Sequence, residues 1–287
     1  MNALKTGFLL ALLTVFLVFI GQLLGGAQGA TTAFVFALAM NLISYWFSDK
    51  IVLAMYRAQP LKQEEAPQVY RVVQDIALRN KIPVPKIYWI ATKAPNAFAT
   101  GRSPQHAAVA VTSGLLEIMN EEELKGVLAH ELSHVLNRDT LVMTIAAALA
   151  GAIMMLARMA QWGLWMGGGR SRDDENRGGA ALQLVAMLLI AILAPLAAML
   201  IQLAISRTRE YGADASGAKL TGNPYGLANA LEKLQAATKA YPLPNANPAT
   251  AHLWIVNPLS AGAIASLFST HPPIQERVRR LREMRLV

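Results

Sequence analysis

A histidine pair with a glutamate beside it is the part of the sequence best suited to chemistry: His130, Glu131 and His134 form an H-E-x-x-H pattern. Residues four apart lie on one face of an α-helix, so the two imidazoles can bind one metal ion. Glu131 directly follows the first histidine and can act as a base towards a water molecule. The pattern therefore predicts a zinc-dependent hydrolytic site on a helix.

The residues before this pattern support the helix. Asn120 is a favourable N-cap, and Glu123 completes a capping box three residues later. Glu121 and Glu122 also favour the positive end of a helix dipole. The alternative is an amphipathic helix with two surface histidines, and a third ligand in a suitable place would argue against it.

The composition indicates a membrane protein. Of the 287 residues, 54% are apolar and only 15% are charged. Cysteine is absent, so any metal must be held by His, Asp or Glu. The net charge of +8 is scattered along the chain without a nucleic-acid-binding motif. A basic cytoplasmic face explains this charge more simply, and no nucleic-acid partner is expected.

Four apolar stretches have about the length of a membrane span, at 8–24, 32–47, 141–160 and 180–206. A signal peptide is the alternative for the first, but a second apolar run follows it directly. Lys5 precedes the first stretch, and Lys50, Arg57 and Lys62 follow the second, which places both outer ends in the cytoplasm. Buried core helices are the alternative for the later two. We therefore predict a multi-pass membrane protein.

These stretches divide the chain into four parts. Residues 1–48 are predicted to form a two-helix transmembrane hairpin, and residues 141–206 a second one with a flexible loop at 163–179. The arginines of that loop argue against the predicted orientation, because the loop should lie outside the cytoplasm. The protease domain is built from residues 49–140, which carry the H-E-x-x-H helix, and residues 207–287, which carry the third ligand.

The parts between the apolar stretches have the pattern of a small α+β domain. A helix is expected to end near Asn80, and 86–92 and 107–112 have the pattern of strands, with an extended segment at 96–99 between them. A helix is predicted at 225–240, and Pro272 and Pro273 suit the first turn of a further helix. The expected fold class is α+β and predominantly helical: a zincin-like catalytic domain with a small β-sheet, plus four transmembrane helices.

A third metal ligand must come from far downstream. One zincin class continues the motif with a glycine and a third histidine, but Asn137 and Thr140 occupy those positions here. The downstream candidates are Glu210, Asp214, His252 and His271.

Glu210 is the best placed of these four. It follows the fourth apolar stretch by roughly 6 Å of helix, and His134 precedes the third by roughly 10 Å, so both approach one membrane surface at similar depth. Asp214 lies one turn after Glu210 and could accept a hydrogen bond from a ligating imidazole, although a surface acidic pair is the alternative. With Glu210 as third ligand the domain would be a gluzincin that binds one Zn²⁺ per chain.

The motif HELSH at 130–134, followed by REYGAD at 209–214 and later by THPP at 270–273, resembles the HtpX-type integral-membrane zinc metalloproteases, distant relatives of the CAAX prenyl endoproteases. The resemblance covers essentially the whole chain. It implies that Glu210 is the third zinc ligand, that the protein lies in the cell inner (plasma) membrane and that the catalytic domain faces the cytoplasm. It also implies substrates that are misfolded or damaged membrane proteins or unfolded polypeptides, and a role in stress response.

Two further roles are predicted, each with an alternative. His271, or Arg277 six residues later, could stabilise an oxyanion, and the resemblance supports His271 near the site. The alternatives are a helix-start residue for His271 and, for Arg277, a supporting place behind the metal ligands. Asn96 and Ala97 resemble the edge-strand element of thermolysin-like proteases that pairs with the substrate backbone, or they form an ordinary turn.

These observations favour a membrane-embedded zinc endopeptidase of proteolytic quality control. A CAAX-type prenyl protease is the second hypothesis, although four spans leave little room for an enclosed chamber. A non-catalytic membrane scaffold is the third, and Glu131 argues against it because a structural metal site needs no base.

Overall fold

The computed structural model describes residues 2–167, 207–243, 246–247, 249–258 and 271–285. Within them the fold is predominantly helical, with one small sheet. The helices are α1 Asn2–Met55, α2 Pro67–Arg79, α3 Ser113–Ile118, α4 Glu121–Leu136, α5 Thr140–Gly167, α6 Arg207–Thr221, α7 Pro224–Ala240 and α8 Ile274–Arg282, and the strands are β1 Gln59–Pro60, β2 Lys86–Ile90, β3 Ala97–Thr100 and β4 Ala108–Thr112.

α1 is a hairpin of two helical arms. Its backbone leaves helical geometry at Gly25 and Gly26, and the φ of +59° at Gly26 is one that glycine adopts readily. The Asn41 amide donates to Thr14 Oγ1 at 2.8 Å across the two arms, so the arms run side by side. The second arm continues to Met55, seven residues past the boundary predicted at 48.

One helix of the described residues, Gly25–Met55, is long and apolar enough to cross a membrane. Thr6–Gln22 and Thr140–Gly151 are shorter apolar helices. The predicted stretch 180–206 lies outside the described residues, as does 168–179 of the predicted loop. The loop begins later than residue 163, because α5 remains helical to Gly167.

α5 joins the hairpin to the catalytic part of the chain. One side of α5 packs with the first arm of α1 in a cluster that contains Leu9, Leu13, Ile145 and Leu149. Met143 and Ala147 belong to a different cluster, together with Phe98 of β3 and Trp254. A single helix therefore contacts both the hairpin and the domain that carries the H-E-x-x-H motif.

The sheet has the strand order β1-β2-β4-β3. β2 and β4 are parallel, and the outer strands are antiparallel to their neighbours. The predicted strands and the 96–99 segment are present within two residues of their predicted ends, whereas the two-residue β1 was not predicted. β3 is thus an edge strand, and its backbone lies next to α4 and α5.

α4 is the central helix of the catalytic part. The capping box is formed as predicted: the Asn120 side chain accepts from the Glu123 N–H at 2.9 Å, and Glu123 accepts from the Asn120 N–H at 2.9 Å. Gly126 lets α7 approach closely, because a Cβ there would lie 2.5 Å from the Leu227 nitrogen. Gly217 of α6 likewise faces the backbone of His130, where a Cβ would lie 3.0 Å from the nitrogen. These contacts place α6 directly beside the two histidines.

α8 packs against α7 and α6. It begins at Ile274, and Pro273 is its N-cap. Pro272 and Pro273 therefore lie directly before its first turn and not within it, so the predicted start is wrong by two residues. Proline lacks an N–H and fixes its own φ, so it suits the residue before the helix as well as the first turn.

Candidate metal centre

The two histidines of α4 converge as their spacing predicts. Their Nε2 atoms are 3.3 Å apart, and the two rings lie edge to face. Both side chains are buried. Two ring nitrogens at this separation can bind one ion, so the H-E-x-x-H helix supplies two ligand positions.

Glu210 of α6 completes this group. Its carboxylate oxygens lie 3.6 Å from His134 Nε2 and 3.9 Å from His130 Nε2. One ligand atom from each of the three residues lies within 4.8 Å of the others, and all three side chains are buried. Two imidazoles and one carboxylate are the donor set of a catalytic zinc site with an open fourth position, so the residues present fit a metal.

Each histidine is oriented by a carboxylate at its other ring nitrogen. His130 Nδ1 lies 2.9 Å from Asp214 Oδ1, the partner predicted for a ligating imidazole. His134 Nδ1 lies 3.4 Å from Asp139 Oδ2, a contact that was not predicted. In each ring Nδ1 has a carboxylate partner, which leaves Nε2 for the metal.

The turn that positions Asp139 is a helix C-cap. The N–H of Asp139 donates to the His134 carbonyl at 2.9 Å, and the N–H of Arg138 donates to the Val135 carbonyl at 3.1 Å. Arg138 takes the left-handed conformation with φ +57°. This is the Schellman arrangement, and it folds the chain back so that Asp139 reaches the helix it has just left.

Glu131 is buried beside the ligands, and its surroundings suit a base. Burial raises the pKa of Glu131 to about 7, although His134 opposes this shift. A backbone hydrogen bond from Ala99 of β3 also reaches this carboxylate. A carboxyl group whose pKa lies near neutrality can both accept and return a proton.

Arg277 lies behind the ligands. Its Nε and Nη2 donate to the two oxygens of Asp214 at 2.8 and 2.7 Å, and its Nη1 donates to the Ile255 carbonyl at 3.0 Å. Although burial opposes the shift, Asp214 and Glu210 raise the pKa of this guanidinium. Its donors are engaged by these partners, so the geometry favours support of Asp214 over contact with an oxyanion.

His271 lies next to Glu210. Its Nδ1 is 3.1 Å from Glu210 Oε2, and its Nε2 is 3.2 Å from the His252 carbonyl. Burial alone would raise the pKa of Glu210, but His271, His134 and Arg277 hold it well below its usual range. The His271 side chain is 9% exposed and the Arg277 side chain is fully buried, so His271 is the more accessible of the two oxyanion candidates.

His252 is not part of the ligand group. Its Nε2 lies 3.0 Å from the Met143 carbonyl of α5, and among the described residues its Nδ1 has no hydrogen-bond partner. Burial lowers the pKa of His252 to about 4, so it is neutral. Of the four candidates for the third ligand, the structure brings Glu210 alone to both motif histidines.

Asn96 and Ala97 have intramolecular partners. The Asn96 amide donates to the Val256 carbonyl at 2.7 Å and accepts from the N–H groups of Ala97 and Val256. The Ala97 carbonyl accepts from the Ile255 N–H at 3.1 Å. Asn96 thus holds the 255–256 segment along the edge of β3, and contact of Asn96 and Ala97 with the substrate backbone stays a prediction. The backbone of Ala99, which sequence reasoning missed, is the part of this edge nearest to Glu131.

Replacing Glu210 with alanine is expected to weaken zinc binding at least about 100-fold, because one of three ligands is lost. Zinc content of the purified protein, measured by mass spectrometry of the metal, checks this. Glu117→Ala, which removes an exposed carboxylate from α3, is the control. Unchanged zinc content in Glu210→Ala would exclude Glu210 as a ligand.

Comparison with protein families matches residues 63–285 to Peptidase family M48. A protein described as "Protease HtpX homolog" from Syntrophobacter fumaroxidans is 60% identical over 280 residues, which cover 98% of both chains. A protein with the same description from Pyrococcus furiosus is 55% identical over 98% of this chain and 95% of its own.

A solved structure has a similar fold. The crystal structure of S. mikatae Ste24p aligns with 96% of this chain at a TM-score of 0.52 and 20% identity. The chain spans 62% of the length of Ste24p. At this identity the likeness concerns the fold alone.

Proposed function

The chain belongs to peptidase family M48, whose members are metalloproteases, and from this membership we propose a zinc-dependent endopeptidase of the cell inner membrane that cleaves misfolded or damaged membrane proteins. One observation carries the proposal. Three buried ligand groups converge within 4.8 Å of one another, directly beside the buried carboxylate Glu131. A structural metal site has no use for such a base.

The residues of the site have separate roles in metal binding, proton transfer and orientation of the ligands. His130, His134 and Glu210 would hold zinc, which when bound polarises a scissile carbonyl and acidifies a water molecule. Glu131 accepts a proton from the attacking water and returns it to the leaving amine. Asp214 and Asp139 keep each imidazole in the orientation that presents Nε2.

The edge of β3 is our candidate for contact with the substrate backbone. It lies at the outside of the sheet, and Ala99 reaches the general base. Backbone pairing along such an edge depends little on sequence, which suits a protease with broad specificity towards unfolded polypeptides. Asn96 and Ala97 would shape this edge through their contacts with the 255–256 segment.

We place the protein across the membrane in four spans, with the catalytic domain in the cytoplasm. The apolar helix Gly25–Met55 and the lysines and arginine that surround the first hairpin support this arrangement. The proposed domains are the hairpins at 1–48 and 141–206 and the two halves of the protease domain at 49–140 and 207–287. The resemblance described above implies the stress-response role and the substrates, and the lipid bilayer is the other partner.

A prenyl protease of the Ste24p kind is the second candidate, because the folds are similar. The much higher identity to the proteins described as protease HtpX homologs argues against it. Zinc analysis combined with casein cleavage, with and without a chelator, tests the proposal. We expect about one zinc ion per chain and cleavage that stops on chelation and returns with added zinc. Cleavage of a prenylated peptide but not of casein would favour the second candidate, and no cleavage in the presence of bound zinc would contradict both.

Replacing His271 with phenylalanine is expected to lower kcat for casein cleavage by about 10²-fold or more, because one donor to the developing oxyanion is lost. Zinc content should be retained, since His271 contacts Glu210 without belonging to the ligand group. Steady-state kinetics and zinc analysis check this. Unaltered turnover would remove the oxyanion role.

A further inference from the structure

A cavity separate from the metal centre lies where the second arm of α1 leaves its apolar stretch. It has a volume of about 500 Å³. One wall is formed by the α1 residues Trp46, Asp49 and Lys50, and the opposite wall by Lys86 and Arg102 of the sheet region. This volume lies within the range of small-ligand sites, roughly 300–1,000 Å³.

The cavity carries an excess of positive charge. Its lining contains the cations Lys50, Lys86 and Arg102 and one carboxylate, Asp49. Within the described residues, none of these three cations makes an ion pair. Cations without an acidic partner around one cavity attract an anion, and lysine and arginine side chains both bind phosphate.

Aromatic side chains fix the cations at this wall. The Arg102 guanidinium lies over the Trp46 ring at 4.6 Å, and Arg102 also donates to the Trp46 carbonyl at 3.2 Å. Lys50 lies over the Phe47 ring at 5.4 Å. Trp46 and Phe47 are about half exposed, at 52% and 48%. They present apolar surface beside the charged cavity. Such a surface would contribute nothing to the binding of a free anion from solution.

The position of the cavity along α1 matches the depth of lipid headgroups. From the break at Gly26 to Trp46 the helix has twenty residues, roughly 30 Å, which is the thickness of the hydrocarbon core. Tyr45, Trp46 and Phe47 then stand where aromatic residues mark the membrane interface, followed directly by Lys50. This depth depends on one part of the proposed function, namely that Gly25–Met55 crosses the bilayer.

We propose that this cavity binds the phosphate of an anionic phospholipid headgroup, with Lys50, Lys86 and Arg102 around the phosphate and Trp46 and Phe47 against the start of the acyl chains. Basic pockets beside transmembrane helices recognise anionic headgroups in this way. The site would hold the catalytic domain against the bilayer surface independently of the metal.

Lipid binding to the full-length, zinc-loaded protein in neutral detergent tests the proposal. Phosphatidylglycerol and phosphatidylcholine are compared by native mass spectrometry and by their effect on Tm. We expect phosphatidylglycerol to bind and raise Tm, and the double variant Lys86→Gln/Arg102→Gln to weaken its binding roughly 10- to 30-fold. The control Lys62→Gln/Lys219→Gln removes the same charge from exposed positions elsewhere and should bind as the parent does.

Several results would overturn the proposal. They are equal binding of both lipids, an unchanged affinity in the double variant, a Tm shift that inorganic phosphate reproduces, or displacement of the lipid by an acidic peptide. Because Arg102 also contacts Trp46, Lys50→Gln/Lys86→Gln is a second variant with the same expected loss. Casein cleavage and zinc content are measured in parallel. A protein without zinc or cleavage that still selects phosphatidylglycerol would reject the proposed function and leave the lipid site in place.

Discussion

Replacing Glu131 with glutamine is expected to lower casein cleavage by roughly 10²- to 10⁴-fold, the range that loss of a general base produces. Glutamine keeps the shape and the burial of the side chain but cannot accept the proton of water. The zinc content should stay unchanged, because the ligand positions belong to His130, His134 and Glu210. Cleavage rates and zinc content of the same preparation check this.

The control for this variant is Glu117→Gln, which makes the same chemical change on an exposed residue of α3. It should cleave casein at the rate of the parent protein. Loss of zinc together with activity in Glu131→Gln would show that Glu131 helps to hold the metal, and would contradict its assignment as the base.

Replacing Asp214 with alanine is expected to destabilise the zinc-free protein by about 3–5 kcal/mol, because Arg277 would remain buried without its partner. Zinc affinity should also fall by about 10- to 100-fold, since His130 loses the carboxylate at Nδ1. Denaturant unfolding in detergent with chelator present isolates the first effect, and zinc titration measures the second.

A double variant separates these two effects. Asp214→Ala/Arg277→Met removes the buried charge as well, so its stability should return towards that of the parent while its zinc affinity stays low. Asp75→Ala, which breaks the exposed pair with Arg79, should cost less than about 1 kcal/mol. If the double variant is no more stable than Asp214→Ala, the unpaired guanidinium is not the cause of the loss.

The parts of this site that depend on local sequence could be predicted. The capping box at Asn120 and the four-residue spacing of the histidines are properties of one helix, so the sequence specifies them within a few residues. Glu210 was found by a longer argument, in which a membrane hairpin brings its two ends to one surface. Segment lengths and the rise per residue of a helix are enough to point to Glu210, whose carboxylate lies beside both rings.

The contacts that were missed depend on the tertiary fold or on an unusual backbone angle. Asp139 reaches His134 because Arg138 takes a positive φ, which an arginine seldom adopts and which nothing in its type predicts. The partners of Asn96 lie 160 residues away, at Val256. Long-range pairing of this kind leaves no periodic signal, so the sequence did not show that the Asn96 amide joins two segments of the protein.

The link between α4 and α5 has a consequence for where a substrate can be cut. Three residues, 137–139, separate the helix that carries both histidines from the helix that packs on the first hairpin. Because this connection is so short, the metal centre lies at a constant height above the bilayer in the topology we propose. We expect the cleavage sites in a membrane-anchored polypeptide to cluster at a fixed distance from its membrane anchor, whatever the amino-acid sequence around them.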